Sequence, residues 1–103
     1  MSTYRVNWNA EKGVLEVGFG EPAQNDQIVR DCEKACAAVK DQVMGKLIKV
    51  NGPASMPVSF VLAHALTHLG KAVAVWDPKI GDSGKYVVAI SHDPQWKIGD
   101  LVD

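Results

Sequence analysis

Leu47-Ile48-Lys49-Val50-Asn51-Gly52-Pro53-Ala54-Ser55-Met56-Pro57 decides the fold, because within these residues the chain changes from a strand pattern to a helix pattern. Leu47 to Val50 is a short apolar run, and Asn51-Gly52-Pro53 stops it. Ser55 is a helix cap and Pro57 suits a first helical turn. Val61, Leu62, Ala65, Leu66 and Leu69 then recur at steps of three and four, predicting a helix through Gly70. Ala72 to Trp76 follows as a nearly all-apolar strand, the pattern of a strand central in its sheet. A strand, a helix and a second strand in that order form a right-handed crossover with the two strands parallel.

Working outward, Tyr4–Asn9 and Val14–Phe19 alternate β-branched or aromatic residues with polar ones. The short Ala10-Glu11-Lys12-Gly13 break between them predicts a β-hairpin. After Glu21-Pro22, Asn25 or Asp26 can cap a helix whose apolar positions are Ile28, Val29, Cys32, Cys36, Val39 and Val43, ending near Gly45. Tyr86–Ser91 reads as a further core strand, and Trp96–Val102 as a last edge strand. The order β-β-α-β-α-β-β with one crossover predicts an α+β fold, a ferredoxin-like or modified ferredoxin-like sandwich. At 103 residues the chain is expected to be a single domain spanning 1–103, without internal repeats.

The net charge of −1 argues against a protein that coats nucleic acid through bulk charge. Its distribution says more: no carboxylate falls between Gln42 and Trp76, where Lys46, Lys49, Lys71, His64 and His68 all lie, so a small anion would meet no like-charge repulsion there. Cys32 and Cys36 have neither the number nor the spacing of a disulfide framework or zinc site, and are expected to be core thiols. No apolar run is long enough to span a bilayer and no signal segment is evident, so the expectation is a cytoplasmic protein without a membrane partner.

In a strand-helix-strand unit the carboxyl ends of both strands and the amino end of the helix share one edge. Asn51, Gly52, Pro53, Ser55, Asp77 and Lys79 should converge there. Backbone N–H groups from Gly52 to Pro57 could cradle a phosphate with Lys79 as a nearby cation, although most such turns bind nothing. Asp77 could act as a general base, ligate a metal or orient a ribose hydroxyl; Asp-Pro also simply begins turns.

His64 and His68 are one helical turn apart and share a face, as two imidazoles gripping one ion would. Ala65 stands where a metalloprotease helix carries glutamate. If Tyr86–Ser91 runs antiparallel to Ala72–Trp76, His92 returns to the opposite edge, near His68. The three histidines are then a candidate site for manganese, zinc or iron, the alternative being ordinary hydrogen-bonded imidazoles. Asp77 and His92 fall at opposite ends of strands about 15–20 Å long. One subunit cannot easily unite them, but the top edge of one subunit against the bottom edge of another can.

Val61-Leu62-Ala63-His64, Val73-Ala74-Val75-Trp76-Asp77-Pro78-Lys79-Ile80-Gly81 and Ser91-His92, with the Gly52-Pro53 turn and Ile98-Gly99-Asp100, resemble the CRISPR-associated ring nuclease three family. The resemblance covers roughly Gly52 to Val102; before that only the order of elements agrees. It implies a manganese-dependent phosphodiesterase that opens cyclic tetra-adenylate and so switches off type III CRISPR antiviral signalling. It also implies a dimeric modified ferredoxin fold, with two dimers sandwiching the ligand; some members carry the domain ahead of an ATPase-like one. By position, Asp77 and Lys79 match the catalytic motif and His64 and His92 match recurring histidines. His68 matches another after a shift of one residue. The family usually has arginine where this chain has Lys79, which removes a planar fork for bidentate phosphate contact.

The mechanism expected from these residues is attack of a ribose 2′-hydroxyl on the adjacent phosphate. Lys79 and the Ser55 helix terminus would hold phosphate, and Asp77 or His68 would orient or deprotonate the hydroxyl. A metal-activated water is the competing route. Two other functions fit the same residues: a manganese-dependent exonuclease trimming the 3′ ends of linear short RNA, and a non-catalytic module that oligomerises on sensing a cyclic nucleotide.

Overall fold

A computed structural model describes residues 2–103. β1 (Tyr4–Asn9) and β2 (Val14–Phe19) form the predicted antiparallel hairpin. The chain continues through α1 (Asn25–Ala38), the single turn α2 (Lys40–Val43), β3 (Leu47–Asn51), α3 (Met56–Thr67), β4 (Ala72–Asp77), β5 (Lys85–Ser91) and β6 (Leu101–Val102). The six strands form one mixed sheet in chain order. β2 pairs parallel to β3 and β3 parallel to β4, while the outer pairs are antiparallel.

The fold is therefore α+β with one sheet, as expected, but it contains two crossovers where one was predicted. The ferredoxin-like strand arrangement is not what the sheet shows, and there are six strands. A ferredoxin-like fold splits its strand-helix-strand units with an inserted strand. Here Val14–Glu16 lies directly beside Lys49–Asn51, and Leu47–Val50 directly beside Ala72–Val75. The tight hairpin is the physical reason: β1 occupies one side of β2, which leaves the other side for β3. Two successive right-handed crossovers advancing in one direction put both helices on the same face. Accordingly α1 and α3 pack against each other.

Between sheet and helices lies the main core, with Tyr4, Leu15, Val43, Ile48, Val58, Leu66, Cys32 and Cys36 almost fully buried. Both cysteines are free and sit one turn apart in α1. Their mutual hydrogen bond and then burial push the Cys32 thiol up from its ordinary pKa. A smaller cluster of Val14, Ala74, Tyr86 and Val88, flanked by Trp76, Trp96 and Val102, covers part of the other sheet face.

Three predicted elements are shorter than expected, one being α3, which ends at Thr67 before the predicted Gly70. The first helix breaks at Val39, whose ψ of 4° leaves the helical region, so Val43 is buried from a separate turn. The last strand is only Leu101–Val102, because Lys97 and Asp100 close a turn: Lys97 N–H donates to Asp100 Oδ2 at 2.9 Å. Among the described residues no helix is long and apolar enough to cross a membrane.

Tyr4 ties the sheet edge to the turn after β3. It is fully buried, and its hydroxyl donates to the Pro53 carbonyl at 2.7 Å. Burial, with smaller contributions from Cys32 and Cys36, pushes its pKa well above the ordinary value near 10. The folded state thus favours neutral Tyr4. This contribution is complete below pH 10 and is lost as pH rises above it toward the folded-state pKa. Tyr4→Phe should cost about 1 kcal/mol at neutral pH through the lost hydrogen bond. Urea unfolding at several pH values checks this: above pH 10 the wild type should lose stability faster than Tyr4→Phe.

Candidate functional site

The two parallel strands deliver their carboxyl ends to one edge, as the sequence requires. Val50 pairs with Val75, so Gly52 and Asp77 both follow two residues beyond the same level of neighbouring strands. Between the strands, Ser55 caps α3: its Oγ accepts from Val58 N–H at 3.4 Å and donates to Asn25 Oδ1 at 2.9 Å. Pro57 stands in the first turn, where a missing N–H costs nothing. Asp77 Oδ1 accepts from Lys79 N–H at 2.9 Å, which folds the Asp-Pro-Lys segment into an Asx turn and leaves the Lys79 side chain exposed.

A groove of about 730 Å³ opens beside α3 and joins the two turns, with Asn51, Gly52 and Pro53 on one wall and Trp76 and Pro78 on another. Its floor is apolar, formed by Leu62, Val73, Val75 and Ile90. The sequence reading missed this groove. It exists because two helices cannot cover six strands, and β4 and β5 remain partly open; Val75 is 45% exposed. The signal available in the sequence was a helix without charged residues beside an all-apolar strand.

The cations of the carboxylate-free window do not gather here. Lys46 lies over the Trp8 ring at 5.7 Å and Lys49 over the Tyr86 ring at 5.5 Å. Lys71 pairs with Asp93 at 3.9 Å. At this edge Lys79 forms no ion pair among the described residues, whereas Lys85, the sheet partner of Asp77, pairs with Asp103.

The histidines occupy the other end of the unit. His64 and His68 are exposed on α3 and its cap, with Nε2 atoms 3.3 Å apart and rings edge to face. His92 follows β5, where Ser91 pairs with Ala72 at the start of β4. Its Nε2 donates to the Thr67 carbonyl at 3.1 Å, which fixes that nitrogen as the protonated one and leaves Nδ1 as the possible ligand atom. All three histidines are thus near the end of α3. Among the described residues, no group of three or more histidine, cysteine, aspartate or glutamate side chains is arranged to hold a metal ion.

The histidine pair itself fits a shared ion: its nitrogen separation is about that of two imidazoles bound to one metal at about 2.0–2.1 Å. Further donors would have to come from elsewhere, such as reoriented His92 or a second subunit. Asp77 is five residues along β4 from the level of Ser91, the residue before His92, about 17 Å at about 3.3 Å per residue. The fold therefore brings Gly52, Pro53, Ser55, Asp77 and Lys79 to one edge and His64, His68 and His92 to the opposite one. Comparison with protein-family models, curated proteins and solved structures finds no match for this chain.

Proposed function

We propose that this protein is a metal-dependent phosphodiesterase that opens cyclic tetra-adenylate in the cytoplasm and so switches off type III CRISPR antiviral signalling. What supports the proposal is the strand register, which takes Asp77, Lys79 and the Ser55-capped terminus of α3 to the same edge of the sheet. A carboxylate, a cation and a helix amino terminus are parts that in-line phosphoryl chemistry uses, although Pro57 has no N–H and Ser55 takes that of Val58, which leaves the Met56 N–H in the first turn of α3. The sequence resemblance selects the substrate. The sandwich of one sheet and two helices agrees with a modified ferredoxin-like family in its layers and departs from it in strand order.

In the proposed reaction a ribose 2′-oxygen bonds to the adjacent phosphorus as the bond from phosphorus to the 5′-oxygen breaks. The products are a 2′,3′-cyclic phosphate and a 5′-hydroxyl. Asp77 accepts the 2′-hydroxyl proton, a role that His68 of another subunit can take only where it holds no metal, and the departing 5′-oxygen takes a proton from water. Lys79 and the amino end of α3 hold the phosphate in line. Manganese, held by His64 and His68 with His92, would neutralise charge on the phosphoryl oxygens. Because the two edges lie on the order of 17 Å apart, the reading requires the top edge of one subunit to meet the bottom edge of another, as in two dimers closing around the ligand.

The test is incubation with cyclic tetra-adenylate, with manganese or with a chelator, and chromatography of the products. Manganese-dependent opening to a species ending in a 2′,3′-cyclic phosphate is expected, and the chelator should abolish it. A ring that stays intact at high protein concentration defeats the proposal. Assembly of subunits around that intact ring would assign a sensing role, and trimming of linear oligoadenylate an exonuclease.

A further inference from the structure

From Met56 to Thr67, α3 carries no Asp, Glu, Lys or Arg. Its inward line of Val58, Leu62 and Leu66 is buried, as a helix on a sheet requires. Its outward line is not correspondingly polar: Met56 is 75% exposed and Phe60 72%, and Ala63 and Thr67 continue the line. These four residues follow at steps of four, three and four, the spacing of a coiled-coil seam. A helix apolar on both sides is normally covered on both sides.

The order of sizes along the seam selects what covers it. Two large side chains, Met56 and Phe60, are followed by two small ones, Ala63 and Thr67. A second α3 laid antiparallel, about a two-fold axis passing between Val61 and Leu62, sets Phe60 against Ala63 of the second copy and Met56 against Thr67 of the second copy. Each layer then holds one large and one small residue, which allows an even separation of about 8–10 Å between helix axes. A parallel pair would set Phe60 on Phe60 and Ala63 on Ala63. The missing charge points the same way, because a two-fold axis through a charged seam places like charges together, whereas this seam has none.

We infer that α3 is a self-association surface, pairing two copies of this chain antiparallel through Met56, Phe60, Ala63 and Thr67. This goes beyond the proposed catalysis and holds whatever ligand the chain binds. The helix is 12 residues long, or about 18 Å. With the flanking rims it offers an area near the low end of specific interfaces, roughly 600 Å² per partner. A reversible dimer with a micromolar dissociation constant is the expected result.

Sedimentation equilibrium of the full chain, without ligand, over roughly 1–500 µM tests this. The wild type should dimerise reversibly. Ala63→Phe sets two aromatic rings in one layer and Phe60→Ala empties it, so each should weaken the dimer at least about tenfold, or about 1.4 kcal/mol. The double variant Phe60→Ala/Ala63→Phe again has one large and one small residue per layer and should recover to within about threefold of wild type. Circular dichroism of each variant separates loss of pairing from loss of fold. A wild type that stays monomeric across the range overturns the inference and leaves the seam to a different protein's helix. A dimer indifferent to Ala63→Phe, or a folded double variant no better than the single ones, overturns it equally.

Discussion

Gly52→Ala should lose at least about 3 kcal/mol of stability, a large share of the roughly 5–15 kcal/mol that holds a domain of this size. Gly52 has a φ of 140°, in a region that side chains rarely tolerate, and a Cβ built there would lie 1.8 Å from the Val17 carbonyl oxygen. The obstacle is backbone of a central strand, so rotating a side chain cannot relieve it. Relief would have to separate β2 from β3 where Glu16 pairs with Asn51, next to buried Val17 and Val50. The strained conformation alone costs on the order of 1–3 kcal/mol, and the displaced packing adds to it. The urea midpoint should fall sharply with the denaturant slope little changed. A variant within about 0.5 kcal/mol of wild type would show that the turn can open without moving the strands.

The same turn shows why part of this fold was legible in the sequence. Asn-Gly-Pro, the Ser55 cap and the three-and-four rhythm after it are local signals, and local geometry decided them: β3 and β4 fall within one residue of their predicted limits, and α3 starts as predicted and ends at Thr67, three residues before Gly70. The pairing of β2 with β3 left no such mark. Parallel partners more than thirty positions apart, such as Val14 and Lys49, are joined by tertiary packing. That pairing replaces the expected ferredoxin-like order with a sequential sheet.

At the candidate site, the edge was legible and the charges were not. The carboxyl ends of parallel strands and the intervening helix terminus must share an edge, so grouping Gly52, Ser55, Asp77 and Lys79 needed only the order of elements. The count of lysines between Gln42 and Trp76 ignored which face each one takes. In a strand, successive residues point to opposite faces. Lys49 therefore points away from the helices between buried Ile48 and Val50, and stacks on Tyr86. The histidine pair was legible because four residues make one helical turn. The Nε2–H bond of His92 to Thr67 was not, since it depends on how β5 returns past the end of α3.

Asp77→Asn should reduce ring opening at least about 100-fold while leaving stability within about 0.5 kcal/mol of wild type. Asparagine keeps the side-chain oxygen that accepts from Lys79 N–H at 2.9 Å, so the Asx turn survives. What disappears is the negative charge and the capacity to take a proton from a ribose hydroxyl. Asp77→Ala should lose the same activity and, with the turn bond gone, about 1 kcal/mol of stability as well. Single-turnover opening of cyclic tetra-adenylate at saturating enzyme, beside urea unfolding of both variants, separates the two roles. If Asp77→Asn opens the ring at nearly the wild-type rate, Asp77 serves the turn alone and the proton acceptor must be sought among the histidines of the facing subunit. If both variants lose the rate and only Asp77→Ala loses stability, the charge of Asp77 acts in the reaction and its oxygen acts in the fold.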